Sequence, residues 1–138
     1  MTKPVPIALV VCDDIYRDPG GKTALVGLFN CIRAAALPVV HPRLSIYASV
    51  TDVHAGTVFR VRLEHSESGK VVAELNGRPP DQTDPTTICD FMFLLQGLQF
   101  TEAGRYYIQF WGNDSLLMQR PFDVQIAKPA EPGPNPAS

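Results

Sequence analysis

Apolar and polar residues alternate one for one along several stretches of this chain. From Arg43 to Thr51, Leu44, Ile46, Ala48 and Val50 take one side and Ser45, Tyr47, Ser49 and Thr51 the other. A period of two is the signature of a half-buried antiparallel strand. From Thr57 to Glu64, Phe59, Val61 and Leu63 oppose Arg60, Arg62 and Glu64. Ser66-Glu67-Ser68-Gly69 then turns the chain, and Lys70 to Asn76 returns as the hairpin partner. The most strongly patterned pair lies near the C-terminus. Gly104 to Phe110 and Arg120 to Ile126 flank Gly112-Asn113-Asp114-Ser115, which predicts a β-hairpin. Tyr106, Ile108 and Phe110 are assigned to its core face, and Tyr107, Gln109 and Trp111 to its outer face. Glu102, Gly104 and Tyr106 have the acidic-x-Gly-x-Tyr spacing of a tyrosine corner, in which a Tyr at a strand start ties down the preceding loop.

The remaining segments read as further strands. Ile7 to about Tyr16 is an apolar run consistent with burial on both faces. Asp18-Pro19-Gly20-Gly21 is a turn, and Lys22 to about Cys31 is the returning strand of a hairpin. Residues 32–42 hold three alanines, but Pro38 and Pro42 limit any helical turn, so a sheet-crossing connection is expected there. Gly77 to Thr86, with Pro79, Pro80 and Pro85, is a long loop. Thr87 to Leu95 is nearly all apolar and is assigned a central position in its sheet; Gly97 to Ala103 leads into the last hairpin. About eight strands at this spacing predict an all-β antiparallel sandwich or barrel. The tyrosine corner favours an immunoglobulin-like sandwich, although barrel closure satisfies the same pattern. Residues 1–127 form a single sandwich domain in this reading. Residues 128–138, with four prolines in eleven residues, form a disordered Pro-rich tail.

Val11-Cys12-Asp13, Gly21-Lys22 and Leu25-Val26-Gly27-Leu28-Phe29 resemble the opening of a family of small bacterial proteins of unknown function. His41-Pro42-Arg43-Leu44 and Gly104-Arg105-Tyr106 extend the likeness over roughly residues 7–127. The resemblance implies a cytoplasmic, bacterial, all-β domain. It carries over no catalytic residue.

Composition narrows the function classes. The chain has 138 residues, of which 45% are hydrophobic and 19% charged, enough for one independent core. Net charge is −2 and no Lys/Arg cluster exists, which disfavours nucleic acid as a partner. Cys12, Cys31 and Cys89 are odd in number and widely spaced, so they predict neither a disulfide framework nor a metal knuckle, and they suit a reducing compartment. The apolar run before Cys12 is shorter than the roughly 7–15 residues of a signal core. No stretch approaches the ~20 apolar residues of a membrane span. A cytoplasmic location without membrane contact is therefore expected.

Candidate chemistry is sparse. Asp13, Asp14 and Asp18 are the densest acidic group, but adjacent strand residues point to opposite faces, so calcium is not assigned. His41, His54 and His65 show no ligand spacing for zinc. No Ser lies in a nucleophile-elbow turn, and Gly20-Gly21-Lys22 lacks the spacing of a phosphate loop. No enzyme activity, cofactor or metal is assigned. The surface candidate is the outer face of Tyr107, Gln109 and Trp111: a binding patch, or a face covered by a loop or a twin subunit. Arg60 and Arg62 are expected to pair with Glu74 across their hairpin. The expected function is a non-enzymatic binding or assembly module that uses a sheet face or edge strand against a protein partner or its own copy. The alternative is a carbohydrate or small-ligand module that stacks on Tyr107 and Trp111.

Overall fold

A computed structural model describes residues 3–79 and 84–127. Alternation becomes nine strands: β1 (Val5–Arg17), β2 (Thr23–Leu28), β3 (Cys31–Ala34), β4 (Val39–Thr51), β5 (Phe59–His65), β6 (Val71–Gly77), β7 (Cys89–Phe100), β8 (Gly104–Gly112) and β9 (Ser115–Ile126). They form a four-stranded sheet in the order β2-β1-β4-β7 and a five-stranded sheet in the order β3-β9-β8-β5-β6. Two separate sheets make a sandwich, not a closed barrel. The pairs β4–β7 in one layer and β5–β8–β9 in the other match the strand pairs that define an immunoglobulin-like sandwich. All pairings are antiparallel except β3 with β9, which is parallel.

The core is the set of side chains that the two-residue period sends inward. Leu44, Ile46, Ala48 and Val50 on β4 face Phe59, Val61 and Leu63 on β5 and Tyr106, Ile108 and Phe110 on β8, all at most 1% exposed. Phe59 stacks on Phe110 at 5.3 Å between ring centres and meets Phe91 of the other sheet at 4.9 Å. The tyrosine corner forms as its spacing predicts. Tyr106 donates its hydroxyl hydrogen to the Glu102 carbonyl at 2.5 Å, anchoring the β7–β8 loop to the start of β8.

Four sequence expectations are corrected. The crossing segment contains a real strand: Cys31–Ala34 pairs with Asp123–Ile126, and the following strand begins at Val39 rather than Arg43. One run of chain thus pairs with β1 as β2, then switches layers at Phe29-Asn30 to pair with β9 as β3. β1 is not buried on both faces, because Val5 and Ile7 are exposed. β7 is not central. It closes the edge of its sheet, and its outward row of Asp90, Met92, Leu94 and Gln96 is exposed.

β7 also runs past Leu95 to Phe100. Its buried residues pass from Leu95 to Leu98, three positions on, so the period of two breaks there. Gly97 sits at the break with φ of 64°, a conformation that costs glycine nothing, and the opposing residues of β4 straddle Pro42. A strand that changes faces loses its alternation, which is why the pattern ended early. The expected Pro-rich tail, residues 128–138, and part of the 77–86 loop, residues 80–83, lie outside the described residues.

Tyr106→Phe should lower unfolding free energy by about 1–2 kcal/mol in denaturant titration, through loss of one buried hydrogen bond. Gly27 has φ of 73°, and a Cβ there would stand 2.5 Å from the Asp13 carboxylate. Gly27→Ala should therefore cost at least about 1–2 kcal/mol from backbone conformation alone; an unchanged midpoint would refute this.

Candidate functional site

The outer face of the five-stranded sheet holds the residues singled out in the sequence. Tyr107, Gln109 and Trp111 lie on β8 opposite Glu64, Arg62 and Arg60 of β5, and all three are half-buried rather than open. The Arg60 and Arg62 guanidinium carbons lie 5.3 and 5.8 Å from the Trp111 ring centre. At these distances the cations meet the negative ring face. Both arginines reach Glu74 on β6, at 3.6 and 3.3 Å, so the expected cross-hairpin pairing is present. The indole N–H donates to the Gln109 side chain at 3.2 Å. The structure therefore brings Trp111 and Gln109 together, with Tyr107 one pleat away opposite Pro121. The aromatic surface is engaged by charge from its own sheet.

The densest chemistry lies where the β5–β6 turn meets the tyrosine corner. His65 is 5% exposed, with Nε2 at 3.0 Å from the Ala103 carbonyl. A carbonyl only accepts, so Nε2 carries the proton. Nδ1 then accepts the Ser68 backbone N–H at 3.1 Å. The Ser68 hydroxyl donates to Glu102 at 2.7 Å. Ser, His and a carboxylate thus meet, but in the wrong order for nucleophilic catalysis. That chemistry needs the hydroxyl on one imidazole nitrogen and the acid on the other. Here one nitrogen is held by backbone, and Ser68 and Glu102 share the other side. The cluster ties a turn to a loop.

The acidic trio separates, each member with its own neighbour. Asp14 lies 2.7 Å from an Arg43 nitrogen, and Asp18 accepts the Lys22 backbone N–H at 2.8 Å. Asp13 lies against Gly27. No group of three or more His, Cys, Asp or Glu among the described residues is arranged to hold a metal ion. Burial pushes the Cys12 thiol up from its ordinary value, away from thiolate reactivity.

The outer face of the four-stranded sheet is different. Met92 and Leu94 on β7 are 46% and 47% exposed, beside Tyr47 and Ser45 of β4. The Tyr47 hydroxyl donates to Asp90 at 2.8 Å, and burial followed by that hydrogen bond pushes its pKa up. Across the same sheet, Val26 and Leu28 on β2 are exposed as well. Among the described residues, the far side of β7 pairs with no strand. Edge strands are ordinarily protected by Lys, Pro or inward charge. β7 has none of these along twelve residues, and its only charge is Asp90.

A family described as being of unknown function, DUF6941, matches residues 7–125. The chain belongs to this family. No curated protein matches the sequence. Among solved structures, the DUF6941 chain is similar to a Pseudomonas fluorescens alkylpurine DNA glycosylase bound to DNA containing an abasic site analog. The identity is 10% and the TM-score 0.48, covering 85% of this chain and 30% of that one. It is also similar to an immunoglobulin-like protein from Pseudomonas aeruginosa, with 10% identity and a TM-score of 0.47, covering 90% and 98% of the two chains.

Two features of the DUF6941 chain escaped the sequence reading. The β7 edge was hidden because its inward and outward rows are both apolar between Asp90 and Gln96. Arg120 falls in the inward row of β9 with Met118 and Phe122, where no pattern marks it as different from a surface arginine. Trp111 is the single tryptophan, so its fluorescence reports its surroundings directly. Arg60→Ala and Arg62→Ala should each shift its emission and each cost about 0.5–1 kcal/mol in stability. An emission spectrum unchanged in both variants would show that the cations do not sit on the ring.

Proposed function

We propose that this DUF6941 chain is a non-enzymatic binding or assembly module that joins a second copy of itself edge to edge through β7. The observation that carries the reading is the unguarded β7 edge with its exposed Met92 and Leu94. Antiparallel pairing of two β7 strands about Phe93 sets Asp90 against Gln96 and Met92 against Leu94. No like charges meet, and the apolar outer row continues across the join. Two four-stranded sheets would become one continuous sheet. The non-enzymatic reading is supported by His65, whose two nitrogens are both taken by backbone groups. A cytoplasmic setting is supported by three cysteines of which none forms a disulfide. No helix among the described residues is long and apolar enough to cross a membrane. The carbohydrate alternative has less support, because a sugar stacking on Trp111 must displace Arg60 and Arg62.

Sedimentation velocity over the micromolar range tests the assembly. The unmodified chain should sediment as a dimer, and Leu94→Lys or Met92→Lys should sediment as a monomer that keeps the β-sheet circular dichroism of the folded chain. A wild-type monomer throughout, or lysine variants that still dimerise, would sink the proposal.

A further inference from the structure

A cavity of about 330 Å³ opens where the chain leaves one layer for the other, lined by residues of β1 to β4 and of the switch between β2 and β3, and by none of β7. Here β1 and β4 part. They pair no further than Cys12 against Ser45, while the start of β4, from Val39, keeps β7 as its partner. One wall is apolar. Phe29 is held by Phe122 at 5.7 Å and by the His41 ring at 5.6 Å between ring centres, and Leu28, next along the chain, is 63% exposed.

The polar groups around this cavity are unmatched. The Asp13 carboxylate lies over the bare backbone of Gly27, whose missing Cβ lets it approach. Among the described residues that carboxylate has no hydrogen bond and no ion pair, since it is the neighbouring Asp14 that takes Arg43. Arg33 on β3 is exposed and equally unpaired, and Asp123 on the adjacent strand is taken by Arg105. The two opposite charges line one cavity without pairing with each other. In the same wall His41 Nε2 is buried with no partner among the described residues. Buried polar atoms ordinarily have one.

We infer that this cavity is a binding site for a small zwitterion with an apolar side chain, a molecule of the amino-acid class. Its ammonium donates to the Asp13 carboxylate, its carboxylate accepts from the Arg33 guanidinium, and its side chain covers Phe29 and Leu28. Small-ligand sites of this size combine apolar walls with a few polar groups that fix orientation. Charge-assisted hydrogen bonds at the two ends supply the partners that Asp13 and Arg33 lack within the chain. An ion of one sign alone leaves one of the two unmatched. The site makes no use of the β7 edge, so it is independent of assembly.

The test titrates the chain with L-leucine, with isocaproate, which lacks the ammonium, and with isoamylamine, which lacks the carboxylate, while amide resonances are followed. Leucine should bind about tenfold more tightly than either, with the largest shifts at Gly27–Arg33 and at His41. Asp13→Asn should lower leucine to about the affinity that the unmodified chain has for isocaproate, and Arg33→Gln to about that for isoamylamine. Equal affinity for the three probes, no saturable binding of leucine up to about 10 mM, shifts centred elsewhere, or variants that keep full leucine affinity would overturn the inference. Should either variant fail to fold, the three-probe comparison on the unmodified chain still decides it.

Discussion

Apolar contact between two facing rows of side chains underlies the rest of this molecule. Phe59 and Phe110 from one sheet and Phe91 from the other meet ring to ring across the interlayer space. Each such residue reaches the interior only because its strand keeps strict alternation. A slip of one residue would expose every one of them, so burial fixes register as well as layer. The tyrosine corner adds a directional element. The Tyr106 hydroxyl spans from the core row to the Glu102 carbonyl and sets where the last hairpin starts.

The crossing of chain between layers has consequences for both edges. Because one short segment serves as β2 in one sheet and β3 in the other, it can cover neither β1 nor β9 along its full length. The gap is bridged by Arg120, whose guanidinium reaches the Leu9 carbonyl and the Asn30 side chain. Dispersion and burial cannot seal such a place, since the exposed groups are backbone amides and carbonyls. A charged side chain with several donors can.

Polar residues elsewhere are absorbed by structure in the same way. The imidazole of His65 uses both nitrogens to hold a turn against a loop. Arg60, Arg62 and Glu74 form an ion group over Trp111 instead of leaving a bare aromatic shelf. Against this background the bare side of β7 is the exception. Its twelve residues offer unpaired backbone groups with one carboxylate and no basic side chain. Among the described residues of this member of a family of unknown function, the longest run of unpaired strand backbone thus lies at a sheet edge.

Alternation alone determined a great deal here. The inward rows of β4, β5 and β8, the last hairpin and the tyrosine corner could all be read from residue spacing, because each depends on neighbours two or four positions apart. The Arg60 and Arg62 pairing with Glu74 was legible for the same reason, since one hairpin fixes both partners. What lay at a sheet edge was not legible. The apolar run of β7 looks the same whether its outer row meets another layer or water. The brief parallel pairing of β3 with β9 joins residues about ninety positions apart, and no local pattern encodes it. The lone inward cation at Arg120 was equally hidden. Periodicity reports which way a side chain points along its own strand; which strands end up adjacent, and which edges stay uncovered, is settled only when distant segments compete to bury the same apolar layer.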